Sequence, residues 1–287
     1  MPADIIFPNL GIQFGTINRI AFSLFGLDVY WYGVLIVLGV VAGLFFGGYL
    51  APKKTGQNPN LYSDFALIAI PACIVGARLF YVVFNWDSMG GNFWNIFNTR
   101  TGGLAIFGVI IAAIVTSIIW TKRKKINWFL FADTAVVGLI IGQVIGRLGN
   151  FVNREAFGGF TDGLFAMQIR IDQVLFSGNI TEEMLDNIVQ HYGVNYIQVH
   201  PTFFYEASIN LLLFIFLNLY RKHKKFTGEL VAYYFLVYGI ARFFIEGLRT
   251  DPLMFFNIAV SQALAGAIAL FGAGYLIYGY MGKIKKA

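Results

Sequence analysis

The stretch 135-AVVGLIIGQVI-145 is an uninterrupted apolar run that leads directly into the charged, amide-rich stretch 146-GRLGNFVNREAFGG-159. Glycines recur every four positions at Gly138, Gly142 and Gly146, a spacing that is typical of helices packed closely in lipid. The whole chain is apolar, since 57% of its residues are hydrophobic and only 13% are charged. The mean hydropathy of +0.66 therefore predicts that a bilayer, rather than water, surrounds most of the protein.

Spanning helices need roughly 20 predominantly apolar residues each. Seven segments meet this requirement, near residues 30–50, 64–84, 103–121, 127–146, 202–220, 229–247 and 257–280. Basic clusters follow the first, third, fifth and seventh segments: Lys53 with Lys54, 122-KRKK-125, 221-RKHKK-225 and 283-KIKK-286. Because positive charge marks the cytoplasmic ends of spans, we predict the N-terminus outside and the C-terminus in the cytoplasm.

The sequence thus predicts an all-α polytopic membrane protein with a single membrane domain over residues 1–287. The connection between the fourth and fifth helices is too long for a simple turn, and residues 159–200 are predicted to form a small extracytoplasmic cap. Within it, 165-FAMQIRID-172 favours a strand, and 181-TEEMLDNIVQHYG-193 favours a short helix that ends at its glycine. The N-terminal MPADIIFPNL lacks a basic region before an apolar core, so we expect no cleavable signal peptide.

Charge and residue counts exclude several classes of protein. The net charge of +6 is a topology signal with a contribution from anionic lipid headgroups, and the short basic runs at helix ends exclude nucleic acid as a partner. The single cysteine, Cys73, excludes an internal disulfide and is interpreted as a small buried hydrophobe. No His-Glu-x-x-His pair or serine elbow is present, and His191, His200 and His223 lack metal-ligand spacing, so we expect no metal or other cofactor.

Ionisable residues inside spans cost about 2.5–3.5 kcal/mol each on insertion scales, so they normally face a cavity or a partner. The predicted topology brings four such stretches to the outer half of the membrane: 76-GARLFYVVFNW-86, 146-GRLGNFVNREAFGG-159, 200-HPTFFYE-206 and 242-RFFIEGLRTDP-252. They contain arginines, amides and carboxylates but no obvious nucleophile. This set favours binding of a phosphate or carboxylate, with the attacking group supplied by a substrate.

Two of these stretches also have a simpler interpretation. Arg78 lies inside the second span, where it either snorkels to the headgroups, closes a structural ion pair or belongs to the site. Arg242, Glu246 and Arg249 share one helical face at i, i+4 and i+7. They form either a structural ion-pair ladder or part of a binding site.

The stretch 146-GRLGNFVNREAFG-158 matches Gly-Arg-x-Gly-Asn-Phe-x-Asn-x-Glu-x-x-Gly, the signature of the prolipoprotein diacylglyceryl transferases, at every fixed position. The chain resembles this family, in the family's order, at five further stretches: 30-YWYG-33, 76-GARLFYVVF-84, 102-GGLAIFG-108, 200-HPTFFYE-206 and 242-RFFIEGLR-249. The resemblance covers essentially the whole chain, and the seven-helix layout with its N-terminus outside is similar to the family's too.

This resemblance implies a multi-pass enzyme of the bacterial plasma (inner) membrane with two substrates. One is the membrane lipid phosphatidylglycerol, and the other is the lipobox cysteine of a prolipoprotein that still has its signal peptide. The family moves the sn-1,2-diacylglyceryl group to the thiol, which gives a thioether and glycerol 1-phosphate. A thiol with a pKa of about 8.5 is only slightly ionised at neutral pH but intrinsically nucleophilic, so the substrate supplies the nucleophile that the chain lacks.

Individual site residues follow from the resemblance by position. Arg147 and Arg242 match the family arginines that engage the lipid phosphate, and they are the first candidates for catalysis. Asn150, Asn153 and Glu155 are expected to shape the headgroup pocket, and Asn150 and Glu155 are also candidates for catalysis. The remaining predicted lipid-binding residues are Tyr32, Gly158, Glu246, Arg249, Arg78 and His200.

The roles of these remaining residues differ. Gly158 is expected to let its loop turn or approach lipid closely. Glu246 and Arg249 match a second charged cluster that either orients Arg242 or gates the substrate. Tyr32 is either a functional side chain or an aromatic anchor at the membrane interface.

Phe107 departs from the family pattern, because many members have a histidine or tyrosine there. Phenylalanine cannot accept a proton, so this position supplies no general base. The thiol proton is left to water or to His200, Tyr32 or Glu155, unless the arginines lower the thiol pKa sufficiently.

A membrane transporter of an anionic or lipid substrate is the alternative from a different class, since buried arginines and glycine-broken helices also line anion pathways. It predicts internally repeated halves, and the sequence has no visible repeat. A structural membrane scaffold would need no clustering of charge on one side.

Overall fold

The computed structural model describes residues 2–86, 103–250, 254–255 and 258–284. In this part of the chain, seven helices are long and apolar enough to cross a membrane, as predicted: Trp31–Lys54, Asn60–Phe84, Ile106–Lys124, Trp128–Asn153, Thr202–His223, Glu229–Gly247 and Val260–Lys283. Only 17% to 39% of the most apolar window of each is buried within the protein, as expected for a multi-pass protein solvated by lipid. Some residues quoted above lie outside the described ranges: Gly102, Asp251, Pro252, Asn257, Lys285 and Lys286.

The α-helices are α1 (Trp31–Gly43), α2 (Ala51–Lys54), α3 (Asn60–Phe84), α4 (Ile106–Lys124), α5 (Trp128–Asn153), α6 (Glu182–Asp186), α7 (Thr202–Tyr220), α8 (Glu229–Gly247) and α9 (Val260–Tyr278). A π-helical stretch, Leu44–Leu50, follows α1, and another, Gly279–Lys283, follows α9. The fourth span is longer than predicted, because α5 continues to Asn153 instead of ending near residue 146. Arg147, Asn150 and Asn153 therefore lie on the last two turns of a helix rather than in a loop.

The strands are β1 (Ile5–Phe7), β2 (Ile12–Phe14), β3 (Ile20–Leu24), β4 (Leu27–Tyr30), β5 (Met167–Arg170), β6 (Val189–His191), β7 (Val194–Val199), β8 (Met254–Phe255) and β9 (Ile258–Ala259). Five of them form an antiparallel sheet in the order β2-β1-β5-β7-β6. The protein is thus mostly helical rather than all-α. Two strands of the sheet precede the first helix, so residues far from 159–200 complete it.

An apolar cluster on one face of the sheet ties it to the helices. The register pairs Ile5 with Ile169, and Ile169 with Ile197, so all three side chains point to the same face. They are fully buried together with Phe157, which follows α5, and Phe203, which begins α7. At roughly 1.5–3 kcal/mol for each large apolar side chain, this burial anchors the sheet at the ends of both helices.

Residues 181–193, predicted as one short helix, fold differently. Only α6 is helical there, with the Thr181 side chain accepting the Met184 N–H at 3.4 Å. β6 and β7 then form a hairpin whose turn residues, Tyr192 and Gly193, have φ angles of 52° and 76°. A two-residue hairpin turn with both φ angles positive favours glycine, so Gly193 completes a hairpin instead of ending a helix. The strand predicted within residues 165–172 is confirmed as β5.

The chain divides into two compact units, Met1–Gly43 with Val136–Ala287 and Leu44–Ala135. In the first unit, a Cβ on Gly43 would lie 2.9 Å from the carbonyl oxygen of Gly138, so α1 and α5 approach each other backbone to backbone. This contact confirms the helix-packing interpretation of the glycine spacing. In the second unit, α3 and α4 meet in the same way, with the Cβ of a residue at Gly76 only 2.8 Å from the Gly108 carbonyl oxygen.

Candidate functional site

A single buried carboxylate joins the two arginines that the sequence singled out. Glu206 Oε1 accepts a hydrogen bond from Arg147 Nη2 at 2.8 Å, and Glu206 Oε2 accepts one from Arg242 Nη1 at 2.9 Å. The side chain of Glu206 is 3% exposed, whereas those of Arg147 and Arg242 are 23% and 16% exposed. Each guanidinium has five N–H donors, so both arginines keep donors for a further anion after binding Glu206. We call Arg147 and Arg242, joined by Glu206, the arginine pair.

These three charges lie near the ends of three helices. Glu206 is in the second turn of α7, and Arg147 and Arg242 are in the last two turns of α5 and α8. A carboxylate near a helix N-terminus and a cation near a C-terminus both complement the helix dipole. Three helix ends therefore meet with charges of the sign that each end favours.

The predicted headgroup residues continue from the arginine pair as one chain of contacts. Arg147 Nη1 donates to Asn150 Oδ1 at 3.0 Å, and Asn150 Nδ2 donates to Glu155 Oε1 at 3.1 Å. Asn153 Nδ2 donates to the same Glu155 oxygen at 3.1 Å. Because Asn150 uses its oxygen towards the arginine and its nitrogen towards the carboxylate, the orientation of its amide is determined by its two partners.

The second charged cluster joins the first at Arg242. Arg242 Nη2 forms an ion pair with Glu246 Oε2 at 2.5 Å, without the angles of a hydrogen bond, and Arg249 Nε lies 3.9 Å from the same oxygen. The predicted ion-pair ladder exists, and it is continuous with the arginine pair. Three arginines thus face the three carboxylates of Glu155, Glu206 and Glu246. Because these charges balance among the described residues, the site offers an anion directed N–H donors more than a net positive charge.

Gly158 and Tyr32 approach these helix ends closely. A Cβ on Gly158 would lie 2.7 Å from the Leu248 carbonyl oxygen and 2.9 Å from His200 Cβ, so only glycine fits between the end of α8 and the start of α7. The atoms that leave no room for a Cβ on Gly158 belong to the protein itself. The ring of Tyr32 lies against α5, 2.6 Å from where a Cβ on Gly149 would be. Tyr32 therefore lies against α5, and Gly158 lies in the loop that follows α5.

His200 connects this loop to α7. Its backbone carbonyl accepts the Gly158 N–H at 2.9 Å, and its Nδ1 lies 3.2 Å from the Tyr205 hydroxyl. Burial lowers the pKa of the imidazole below its ordinary value of 6.5, so His200 is neutral at pH 7 and one ring nitrogen is available to accept a proton. Among the described residues, no three His, Cys, Asp or Glu side chains are grouped so that they could hold a metal ion.

Arg78 and Phe107 belong to the unit formed by residues 44–135. Arg78 is 8% exposed, donates from Nη1 to the Gly103 carbonyl at 2.9 Å and lies 5.4 Å from the Tyr81 ring centroid. Phe107 packs against Phe80 with ring centroids 6.1 Å apart, an apolar contact that suits a side chain without proton chemistry.

Glu206 is the candidate site residue that sequence reasoning missed. It is the last residue of the quoted stretch 200-HPTFFYE-206, and it is absent from the residues predicted for the site. The available signal was spacing: polar side chains recur at four-residue intervals in three spans, at Gln143 and Arg147, at Glu206 and Asn210, and at Tyr234, Tyr238, Arg242 and Glu246. Such a repeat inside apolar helices indicates one polar face per helix, and three such faces indicate a shared interior.

These faces meet in the structure. Tyr238 Oη donates to Glu206 Oε1 at 3.4 Å, and Gln143 Nε2 donates to the Tyr234 hydroxyl at 3.0 Å. Asn210, which is fully buried, lies 3.5 Å from Gln143. A polar row therefore extends from the arginine pair into the bundle.

Arg154 fastens the loop that presents Glu155. Glu155 is flanked by Arg154 and Ala156, and both flanking residues have a φ of 55°, in the left-handed region that costs roughly 1 kcal/mol for a residue with a Cβ. Arg154 is 3% exposed and donates to the carbonyls of Ile17 and Gln173, both at 3.0 Å. Its Nη1 also lies 3.5 Å from the carboxylate of Asp4. The N-terminal segment thus holds the loop in its strained form.

Replacing Arg154 by glycine tests this tether. Glycine accepts the positive φ, so Arg154→Gly removes the side-chain contacts without adding backbone strain. We expect the kcat of the reaction that the family resemblance implies to fall about tenfold or more as Glu155 loses its fixed position. The matched change Ala156→Gly relieves the same backbone strain without removing a tether, and its kcat and thermal midpoint should stay at or above the parent values. An Arg154→Gly protein with unchanged kcat would show that the tether does not position the site.

The fold and the site define a multi-pass membrane protein in which one buried carboxylate joins two arginines near the ends of three helices. The model of one family, prolipoprotein diacylglyceryl transferase, matches residues 19–278. The chain belongs to this family.

Similar proteins carry the name phosphatidylglycerol-prolipoprotein diacylglyceryl transferase. One from Clostridioides difficile is 39% identical over 269 residues, which cover 94% of this chain and 97% of that protein. One from Finegoldia magna is 40% identical over 256 residues, covering 89% and 93%. One from Listeria monocytogenes is 36% identical over 268 residues, covering 93% and 91%. These similarities extend over nearly the full length of both partners, and they do not favour the transporter alternative.

Proposed function

We propose that this protein transfers the sn-1,2-diacylglyceryl group of phosphatidylglycerol to the lipobox cysteine thiol of a prolipoprotein that still has its signal peptide. The bond between the glyceryl carbon and the phosphate oxygen breaks, a carbon–sulfur thioether forms, and glycerol 1-phosphate leaves. The thiol proton passes to an acceptor at the site or to the departing phosphate. The observation that carries this proposal is the arginine pair in a chain of this family.

Charge on the leaving phosphate is what the site must stabilise. As the carbon–oxygen bond breaks, negative charge builds on the phosphate oxygens, and the free N–H donors of Arg147 and Arg242 are suited to receive it. Glu206 holds both guanidinium groups in place before the substrate binds, so little reorganisation is needed in the transition state. One such preorganised donor is worth about 2.7–4 kcal/mol.

The residues around the arginine pair fit the rest of the headgroup. The glycerol hydroxyls of phosphatidylglycerol need both donors and acceptors, which Asn150, Asn153 and Glu155 offer in one connected set. Glu246 and Arg249 orient Arg242 from the opposite side. Tyr32, Gly158 and His200 complete the set of residues that we assign to the lipid around the arginine pair. Arg78 belongs to the unit formed by residues 44–135, and its assignment to the lipid rests on the family resemblance alone.

The acceptor of the thiol proton is tested by the pH dependence of the reaction. The lowered pKa keeps His200 neutral down to below pH 6.5, so if it is the base, kcat/KM should fall only at more acidic pH. A His200→Gln variant should then lose that acid limb and most of its turnover. If the variant keeps both the acid limb and the rate, the proton passes to Glu155, Tyr32, water or the phosphate itself.

The orientation and location form part of the same proposal. We assign the protein to the bacterial plasma (inner) membrane, with the sheet, the cap of residues 159–200 and the arginine pair outside. Supporting this, Glu206 lies near the start of α7, whereas the basic run that begins with Arg221 follows its end. The basic run and the proposed site therefore lie at opposite ends of α7, as the positive-inside rule requires.

The activity is tested with purified protein in detergent, phosphatidylglycerol and a lipobox peptide. We expect release of glycerol phosphate and a more hydrophobic peptide, and a peptide with serine in place of the lipobox cysteine should give neither product. No release, while another member of the family is active in the same mixture, would overturn the proposal.

Cys73 provides a test for a hidden covalent step. Its thiol lies on α3 with the Val109 carbonyl as its neighbour at 3.7 Å, and among the described residues no contact of this thiol activates it as a nucleophile. We expect a Cys73→Ser protein to keep its turnover within about twofold, as for a neutral interior substitution. A folded but inactive Cys73→Ser protein would show that the enzyme itself supplies a nucleophile.

A further inference from the structure

Two β-hairpins have the same turn in different settings. The turn Phe25-Gly26 joins β3 to β4, and the turn Tyr192-Gly193 joins β6 to β7. The φ angles are 50° and 77° in the first turn and 52° and 76° in the second. Each turn presents an aromatic side chain fully to its surroundings, since Phe25 is 96% and Tyr192 is 97% exposed. The two hairpins therefore have the same turn conformation and differ in the residues that flank the turn.

The β3–β4 hairpin has one apolar and one polar face. Its register pairs residues on the same face as follows: Phe22 with Val29, Ser23 with Asp28, and Leu24 with Leu27. Side chains alternate between faces along a strand, so Phe22, Leu24 and Leu27 share one face, where they are 52%, 54% and 63% exposed. On the other face, Ser23 Oγ donates to Asp28 Oδ1 at 2.5 Å.

The β6–β7 hairpin does not expose such an apolar face at its turn. The pair that flanks its turn is His191 with Val194, and Val194 is partly buried against the apolar cluster that contains Tyr196. On the other face, the side chains of Gln190 and Asn195 hydrogen-bond at 2.8 Å. This hairpin is an edge of the five-stranded sheet and suits an aqueous environment.

The β3–β4 hairpin is also continuous with the first span. β4 ends at Tyr30 and α1 begins at Trp31, without a connecting residue. Tyr30, Trp31 and Tyr32 are all exposed aromatic side chains at this junction, a composition that is typical of the membrane–water interface. Beyond it, α1 exposes Ile36 and Val37, as lipid-facing residues do. The apolar face of the hairpin thus begins at the level where the chain enters the bilayer.

We propose that the β3–β4 hairpin is an interfacial element that binds the lipid surface from which α1 enters the bilayer. Phe22, Leu24 and Leu27 face the acyl chains, Phe25 inserts at the tip, and Ser23 and the other polar residues face water. An amphipathic element with a continuous apolar face gains from this position, whereas the same face in water would be an exposed hydrophobic patch. This inference rests on the hairpin alone and does not depend on the proposed reaction.

Depth-sensitive quenching tests the proposal. In a Cys73→Ser background the chain has no other cysteine, so a single fluorophore is attached in turn to Leu24→Cys, Ser23→Cys, Phe25→Cys and Tyr192→Cys. Each protein is reconstituted into phosphatidylcholine–phosphatidylglycerol vesicles that contain a lipid with a nitroxide near its headgroup. Iodide in the water is the complementary quencher, and a thermal melt of each protein confirms that it is folded.

The two quenchers should give opposite orders within each pair of probes if the hairpin lies in the interface. The Leu24→Cys probe should be quenched by the lipid nitroxide at least about twofold more than the adjacent Ser23→Cys probe, and the Phe25→Cys probe more than the Tyr192→Cys probe. Iodide should reverse both orders. Equal quenching within each pair, or a Phe25→Cys probe shielded from both quenchers, would overturn the proposal. If Leu24→Cys fails to fold, Leu27→Cys on the same face replaces it under the same criteria.

Discussion

Arg147→Ala is expected to lower turnover by about a hundredfold to a thousandfold while the protein still inserts and folds. The alanine removes the donors to Glu206 and Asn150 as well as those that we assign to the lipid phosphate. The loss should appear in kcat as well as in kcat/KM, because these donors matter most when charge builds on the leaving group. Release of glycerol phosphate under saturating lipid measures it.

A matched control separates this effect from the general cost of losing an arginine. Arg170 on β5 is exposed to a similar extent, 21% against 23% for Arg147, and it is ion-paired with Asp172 at 2.6 Å. Arg170→Ala should keep its turnover within a few-fold. Arg147→Lys keeps the charge but not the planar fork, so it should recover only part of the activity. Full activity of Arg147→Ala would refute its role at the phosphate.

Glu206→Gln is expected to have the second large effect. An amide can accept a hydrogen bond through only one of its two terminal atoms, so its NH2 group would face either Arg147 or Arg242, donor against donor. Two arginines would also lose the carboxylate that neutralises them, and removing one partner of a buried ion pair costs about 3–5 kcal/mol. We expect a lower thermal midpoint in detergent and a loss of turnover of about a hundredfold.

Glu229 offers the same substitution away from the site. It is fully buried at the other end of the bundle and accepts hydrogen bonds from the hydroxyls of Tyr220 at 2.7 Å and Tyr280 at 2.6 Å. Glu229→Gln should therefore lower the thermal midpoint, while the folded protein keeps near-normal turnover. If both variants lose turnover only in proportion to their loss of folded protein, Glu206 has a structural role alone.

The seven spans were predictable because hydropathy along the chain is a local property, and lipid-facing helices satisfy it with little help from tertiary contacts. Arg147 and Arg242 were predicted by the resemblance of their surrounding stretches to a family, and the structure brings them to one carboxylate. The helix-packing glycines were predictable for a similar reason, since four-residue spacing specifies one helix face.

Features that depend on distant contacts were not predictable. β1 joins the sheet beside β5, more than 150 residues away, and no local pattern specifies that partner. The last turns of α5 looked like a loop because they are polar, but Arg147 and Asn150 find partners there that a helix positions well. Gly193 suited both a helix end and a hairpin turn, and pairing with β7 decided between them. Glu206 was visible as a charge in a span, but its two arginine partners lie on other helices.

The most direct test of the central claim is a structure of the protein with phosphatidylglycerol bound. The account predicts the lipid phosphate within hydrogen-bond distance, about 3 Å, of guanidinium nitrogens from both Arg147 and Arg242, with Glu206 still between them. A phosphate bound elsewhere, out of reach of both arginines in a protein that transfers the diacylglyceryl group, would contradict it.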